Sequence, residues 1–288
     1  MPLHVPSINR MDALRQVDGW GVENAAVAVL GPGGELGSRG DRTRVYRIAS
    51  VTKLMTALAA LVAAEEGVID LDEPAGPPGS TIRHLLAHAS GLPFEGHGPP
   101  IARPGTRRIY SNTGFEVLAD AVAQRAEMPF ADYLREAVFR PLQLEAELRG
   151  SPAADVHASL DDLVRFAREL LAPTLVSAET LAEATSVQFP GLAGVLPGIG
   201  RYDPLDWGLG FELKDAKEPH WSGSRTSPGT FGHFGGSGTF LWVDPEPRIA
   251  CVCLTDREFD AWALDAWPRL SDAVLDEAAR GVVGKSGS

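Results

Sequence analysis

Ser50 and Lys53 are the pair whose types and spacing could do covalent chemistry in this chain. They lie in RIASVTKLMTAL, residues 47–58, where an apolar periodic run begins. The spacing predicts a helix opening at about Ser50, with Lys53 one turn along on the same face. A hydroxyl attacks a carbonyl only when a base takes its proton. An ammonium cannot do this, a lysine with a pKa depressed by burial can, and an arginine stays protonated. The chain carries 22 arginines but only four lysines, at 53, 214, 217 and 285, so a lysine here stands out. A serine at the positive end of a helix is also an ordinary cap, and the pair alone leaves both readings open.

Two further stretches bear on the choice. Tyr110-Ser111-Asn112 ends an extended segment just before a helical pattern. A phenol at such a turn can relay a proton if cationic neighbours depress its pKa, although a lone tyrosine is as readily a packing residue. GTFGHFGGSGTF, residues 229–240, puts several glycines in a strand-like run. Such glycines mark close approach by another group, for instance an oxyanion bound by backbone N–H groups; a β-bulge or loop is the plain alternative.

The elements that must position these residues come in the order strands, helices, strands. Residues 11–20 read as a short amphipathic helix, AAVAVLGPGGELGSRG as a β-hairpin, and RVYRIA as a short strand. Helical patterns follow at residues 81–90, 111–127, 129–142 and 159–171, the last with Ser159 placed to cap it and Asp162 in its first turn. Residues 190–204 are rich in Gly and Pro and read as loop. WGLGFEL, GTFGHFGG, GTFLWVD and RIACVCLT then read as strands, with Asp244-Pro245-Glu246-Pro247 turning the last two into a hairpin, and residues 259–280 as a terminal helix. The expected fold is α+β. One antiparallel sheet draws on both chain ends and is flanked by helices, a helical lobe is inserted, and the active site lies in the cleft between. Residues 1–288 would form one catalytic domain: an α/β lobe from about 1–75 and 205–280, a helical lobe from about 76–204, and a tail at 281–288.

The bulk numbers narrow the function. A formal net charge of −12 over 288 residues argues against nucleic acid or an anionic membrane as partner. No stretch approaches the roughly 20 apolar residues of a membrane span, and MPLHVPSINRMDAL has no signal-peptide pattern, so a cytoplasmic protein is expected. Cys251 and Cys253, two residues apart in a strand-like run, read as small buried hydrophobes rather than a disulfide. His84 and His88 share helical spacing, but no third ligand is evident, so no metal is expected. There is no Gly-x-Ser-x-Gly elbow, and neither GVVGKS nor GPGGELG meets a nucleotide-binding pattern.

Taken together and in order, the three elements resemble the serine β-lactamase-like superfamily, in its branch of class C β-lactamases, D-Ala-D-Ala carboxypeptidases and family VIII carboxylesterases. LLAHASGLP, RPGTRRIYSNTGFEVLADAV, SLDDLVRFARELL, WGLGF and GHFGGSGT extend the likeness over about residues 20–255. The resemblance implies acyl transfer through a covalent acyl-enzyme, with Ser50 as nucleophile and Lys53 holding and deprotonating it. It implies Tyr110 as partner base and later acid, and Asn112 positioning the acyl side chain and Lys53. The oxyanion hole would be the N–H groups of Ser50 and Gly236, and no metal or organic cofactor is implied. His233, Phe234 and Gly235 would bind substrate where the family carries Lys-Thr-Gly or His-Thr-Gly. Phe234 in place of threonine, and His233 in place of lysine, weaken carboxylate recognition. Both departures favour a carboxylesterase on small esters over a D-Ala-D-Ala carboxypeptidase or weak β-lactamase, and over a binding protein that keeps the fold without turnover. The expected partner is a small ester or amide, and nothing in the sequence bears on oligomeric state.

Overall fold

The computed structural model describes residues 11–96 and 98–283. The chain opens with a 3-10 helix at Asp12–Gly19, followed by the hairpin β1 (Ala25–Gly31) and β2 (Gly34–Arg39) and a short strand β3 (Tyr46–Arg47). Helix α1 (Thr52–Glu65) and the short α2 (Ile82–Leu86) come next, then β4 (Arg108–Ile109), α3 (Asn112–Ala126) and α4 (Phe130–Leu134). Short strands β5 (Glu147–Leu148) and β6 (Val156–Ala158) precede α5 (Leu160–Leu171) and α6 (Ala178–Ala184). The chain then forms β7 (Gly194–Leu196), β8 (Gly200–Tyr202), β9 (Glu212–Leu213), β10 (Phe231–Gly235), β11 (Thr239–Asp244), β12 (Ile249–Thr255) and α7 (Ala261–Val283).

The main sheet has six strands in the order β2-β1-β12-β11-β10-β9, all antiparallel, so the first and last thirds of the chain meet at the β1–β12 pair. Its inner strands β1, β11 and β12 are apolar on both faces because both are covered. In β11, Leu241 and Val243 face the core shared with α1 and α5, while Phe240 and Trp242 face the layer shared with Trp267 of α7. Cys251 and Cys253 both lie in the second layer, buried and unpaired. α5 begins as its sequence indicates: Ser159 and Asp162 form a reciprocal capping box.

Helix α1 is buried from Thr52 through Ala63, with no polar stripe. A helix that is apolar all round must sit inside the protein. This placement, rather than any feature of Lys53 itself, takes the Lys53 amine out of water. Gly210 makes the close packing possible: a Cβ there would stand 2.2 Å from that of Ala57 on α1.

Three expectations change. Residues 190–204 are not simply loop: β7 and β8 form a hairpin, and β7 runs parallel to β4 just before Tyr110. WGLGFEL yields only the two-residue β9, because Gly210 takes a φ of 86° where the chain bends over α1. The N-terminal segment is a 3-10 helix, and its first N–H groups, at Asp12 and Ala13, are held by the Glu277 carboxylate of α7. No helix among the described residues is long and apolar enough to cross a membrane.

Candidate active site

Ser50 sits in a 3-10 turn, Ala49–Val51, that feeds directly into α1. The turn is strained: Ala49 has a φ of 44°, a left-handed conformation that costs an alanine about 1–2 kcal/mol. It is stabilised from β10. Gly235 lies so close that a Cβ would come within 2.4 Å of the Ile48 carbonyl and 3.1 Å of the Ala49 Cβ. Gly235 is therefore a packing requirement of the nucleophile turn. The following turn, which holds Gly236, is closed by Gly238 N–H donating to the Gly235 carbonyl.

Lys53 is wholly buried. Its Nζ donates to Asn112 Oδ1 at 2.6 Å and to the Ala153 carbonyl at 2.9 Å, and lies 3.4 Å from Ser50 Oγ. Burial holds the amine well below its usual pKa, and the more distant carboxylates of Glu116 and Glu95 only partly oppose this. A neutral amine has two protons and one lone pair. The two carbonyl oxygens take the protons, which leaves the lone pair for the Ser50 hydroxyl. Asn112 is itself fixed, since Nδ2 donates to Glu95 Oε1 at 3.2 Å and Ser111 caps α3 through Gly114 N–H.

Tyr110 presents its face to Lys53, with Nζ 4.6 Å from the ring centroid, and its hydroxyl to His233 Nε2 at 3.3 Å. Burial raises the phenol pKa, and hydrogen bonding with Ser50 opposes this without overcoming it. The condition set by the sequence, a phenol whose pKa cationic neighbours depress, is therefore not met: burial outweighs the hydrogen bonding that would stabilise a phenolate. His233 is buried, and burial holds its pKa well below the usual histidine value. Its Nδ1 lies 2.6 Å from the Phe234 carbonyl, an acceptor only, so Nδ1 carries the proton and Nε2 accepts from Tyr110.

Phe234 is a correction. Neighbouring strand residues point to opposite faces. With His233 turned toward Tyr110, the Phe234 ring turns into the α7 layer, 4.8 Å from Phe259 and 5.7 Å from Trp221 by ring centroids. It is 7% exposed. The site also contains residues that the sequence offered no role. His88 lies beyond the end of α2 with a φ of 54°, so it does not share a helical face with His84. Its Nδ1 accepts the Ser111 N–H at 3.1 Å, and its ring packs 4.6 Å from Tyr110 and 5.0 Å from Trp207. Their segments, LLAHASGLP and WGLGF, are among those that carry the resemblance.

A serine and a buried amine at the cleft end of an antiparallel sheet, with a tyrosine and an asparagine from the helical region, define a serine hydrolase of the β-lactamase fold. The chain belongs to the Beta-lactamase family, whose profile matches residues 14–147 and 143–275. It is 25% identical over 303 residues to the D-alanyl-D-alanine-carboxypeptidase/endopeptidase AmpH of Escherichia coli, covering 81% of this chain and 75% of that protein. A solved β-lactamase structure from Mycobacterium bovis superposes with a TM-score of 0.91 at 54% identity, over 92% of this chain and 99% of that one. EstCE1, described as a hydrolase with promiscuous acyltransferase activity, shares the fold with a TM-score of 0.74 at 18% identity, over 91% and 96% of the two chains.

Proposed function

We propose that the protein hydrolyses small carboxylic esters through an acyl-enzyme on Ser50. The observation that carries the mechanism is the Lys53 amine, dehydrated and with both N–H bonds committed to carbonyl oxygens. Lys53 takes the Ser50 proton as Oγ attacks the ester carbon, and the backbone N–H groups of Ser50 and Gly236 receive the oxyanion. Tyr110 enters as a neutral phenol. It gives its proton to the departing alkoxide and is reprotonated from Lys53, with His233 Nε2 holding the hydroxyl in line. Water then attacks the acyl-enzyme along the same route in reverse, releasing the acid. Asn112 locks the Lys53 amine and faces the acyl arm.

Esters are preferred because the position that would supply a cation for a carboxylate beside the scissile bond holds His233, which is uncharged throughout the physiological range. A second reading, hydrolysis of β-lactams or D-Ala-D-Ala peptides, is favoured by the relatives described as β-lactamase and carboxypeptidase. Purified protein offered p-nitrophenyl acetate, nitrocefin and a D-Ala-D-Ala peptide separates the two. The ester reading expects fastest turnover of the acetate, an acetyl adduct on Ser50 by intact mass, and loss of both in Ser50→Ala. Faster nitrocefin or peptide turnover would reverse the ranking.

A further inference from the structure

Large apolar side chains exposed at the surface are scattered over the molecule, except that Phe94, Ile101 and Val195 line one cavity. They are 45%, 65% and 57% exposed and come from the segment between α2 and β4 and from β7, the central strand of the β4-β7-β8 sheet. The cavity holds about 410 Å³, within the range of small-molecule sites. It opens beside Tyr110, whose ring stacks on Phe94 with centroids 5.9 Å apart. Its charged lining is entirely basic, in a chain with a net charge of −12. Arg108 is spent on the fold, donating to the carbonyls of Leu205, Ala87 and Gln188. Arg107 and Arg201 stand exposed at the rim, and no carboxylate lines the cavity to neutralise them.

We propose that this cavity receives the leaving arm of the substrate, an apolar chain that ends in a carboxylate bound by Arg107 and Arg201. The proposal rests on the ester-hydrolase reading. The arm follows from the chemistry: Tyr110 protonates the departing oxygen, so the group carried by that oxygen starts at Tyr110 and continues into the cavity that Tyr110 borders. Phe94, Ile101 and Val195 then shield its methylenes, and two guanidinium forks meet the anion. The cation missing at His233 is thus supplied farther out, where it selects a carboxylate remote from the scissile bond. The reaction needs only water: the acyl carbon–oxygen bond to the arm breaks, Ser50 Oγ bonds the acyl carbon, and the ω-hydroxy acid leaves carrying the Tyr110 proton.

The test compares 6-acetoxyhexanoate with hexyl acetate, and monomethyl adipate with methyl hexanoate. The expected result is a kcat/KM advantage of about tenfold or more for the carboxylate on the leaving arm, and no advantage for it on the acyl arm. In the Arg107→Ala/Arg201→Ala protein the leaving-arm advantage should fall to about one, while Arg140→Ala, on a remote surface, keeps it. Calorimetry of 6-hydroxyhexanoate binding to Ser50→Ala protein reads the subsite without turnover. Binding that weakens at least tenfold without the two arginines supports the proposal. Absent binding, equal rates for the first pair, an advantage on the acyl arm, or an advantage that survives loss of both arginines each overturns it. The ester reading is judged separately, by Ser50 acetylation with p-nitrophenyl acetate.

Discussion

Two buried lysines, Lys53 and Lys217, are treated by the chain in opposite ways. Lys217 donates to the Asp206 and Leu213 carbonyls and lies 3.5 Å from the Glu212 carboxylate. Glu212 also meets His220 Nε2 at 3.0 Å and accepts from Trp221 Nε1. Burial would raise the Glu212 pKa, but His220 and Lys217 overcome it and bring it down to about 2. Lys53, equally dehydrated, touches two neutral carbonyl oxygens, a hydroxyl and an aromatic face, and no carboxylate. A buried amine with a counter-ion stays an ammonium and ties strands together. One without a counter-ion gives up its proton and becomes a base. The scarcity of lysine is thus only partly about catalysis: Lys53, Lys214 and Lys217 are all buried, and Lys214 is caged by Thr226 and Ser224 oxygens. What distinguishes Lys53 from Lys217 is the absence of a contacting carboxylate, and what distinguishes it from Lys214 is a serine hydroxyl beside the amine.

The largest expected effect tests the basic amine. Lys53→Met should lower the rate of Ser50 acylation by about 10³-fold or more while leaving the melting temperature unchanged or raised, since an unpaired buried amine does not favour the fold. A large drop in stability would mean that Lys53 is structural like Lys217. The second test is the reverse case. Glu212→Gln should lower stability by about 3–5 kcal/mol in urea unfolding, because it strands the Lys217 charge. Its pH signature follows from the sign of the shift. With the folded pKa at about 2 and the unfolded value near 4.5, the Glu212 contribution is complete above about pH 4.5 and is lost as pH falls toward 2. The glutamine variant should lack that acid limb. The third concerns the aromatic layer under β10. Phe234→Thr, which restores the family's residue type, should destabilise the protein by about 3 kcal/mol through lost packing against Phe259 and Trp221. It should not bring in β-lactam turnover; a gain of nitrocefin hydrolysis would show that residue 234 faces substrate after all.

Much of this was legible in the sequence. GTFLWVD and RIACVCLT read as strands and form β11 and β12, Ser159 and Asp162 announced the start of α5, and the fold brings Ser50, Lys53, Tyr110 and Asn112 together. The orientation of Phe234 was available too, because strand parity forbids adjacent residues such as His233 and Phe234 from both pointing at Ser50. Other features carried no residue-type signal. The Ala153 carbonyl that takes a Lys53 proton comes from backbone 100 residues away. Ala49 adopts its left-handed turn because Gly235 and α1 hold it there, which an alanine does not advertise. The β7–β8 hairpin was hidden by its glycines and prolines, and the raised Tyr110 pKa by burial that exists only in the folded chain.

The protonation state of Lys53 is the point on which the account turns, and a chain with four lysines allows it to be read directly. In protein labelled with ¹⁵N-lysine, the Nζ signal of one lysine, assigned by its loss in Lys53→Met, should be that of a neutral amine at pH 7. An ammonium signal from Lys53 persisting through pH 9, in protein that still acylates Ser50, would contradict the role given to it here.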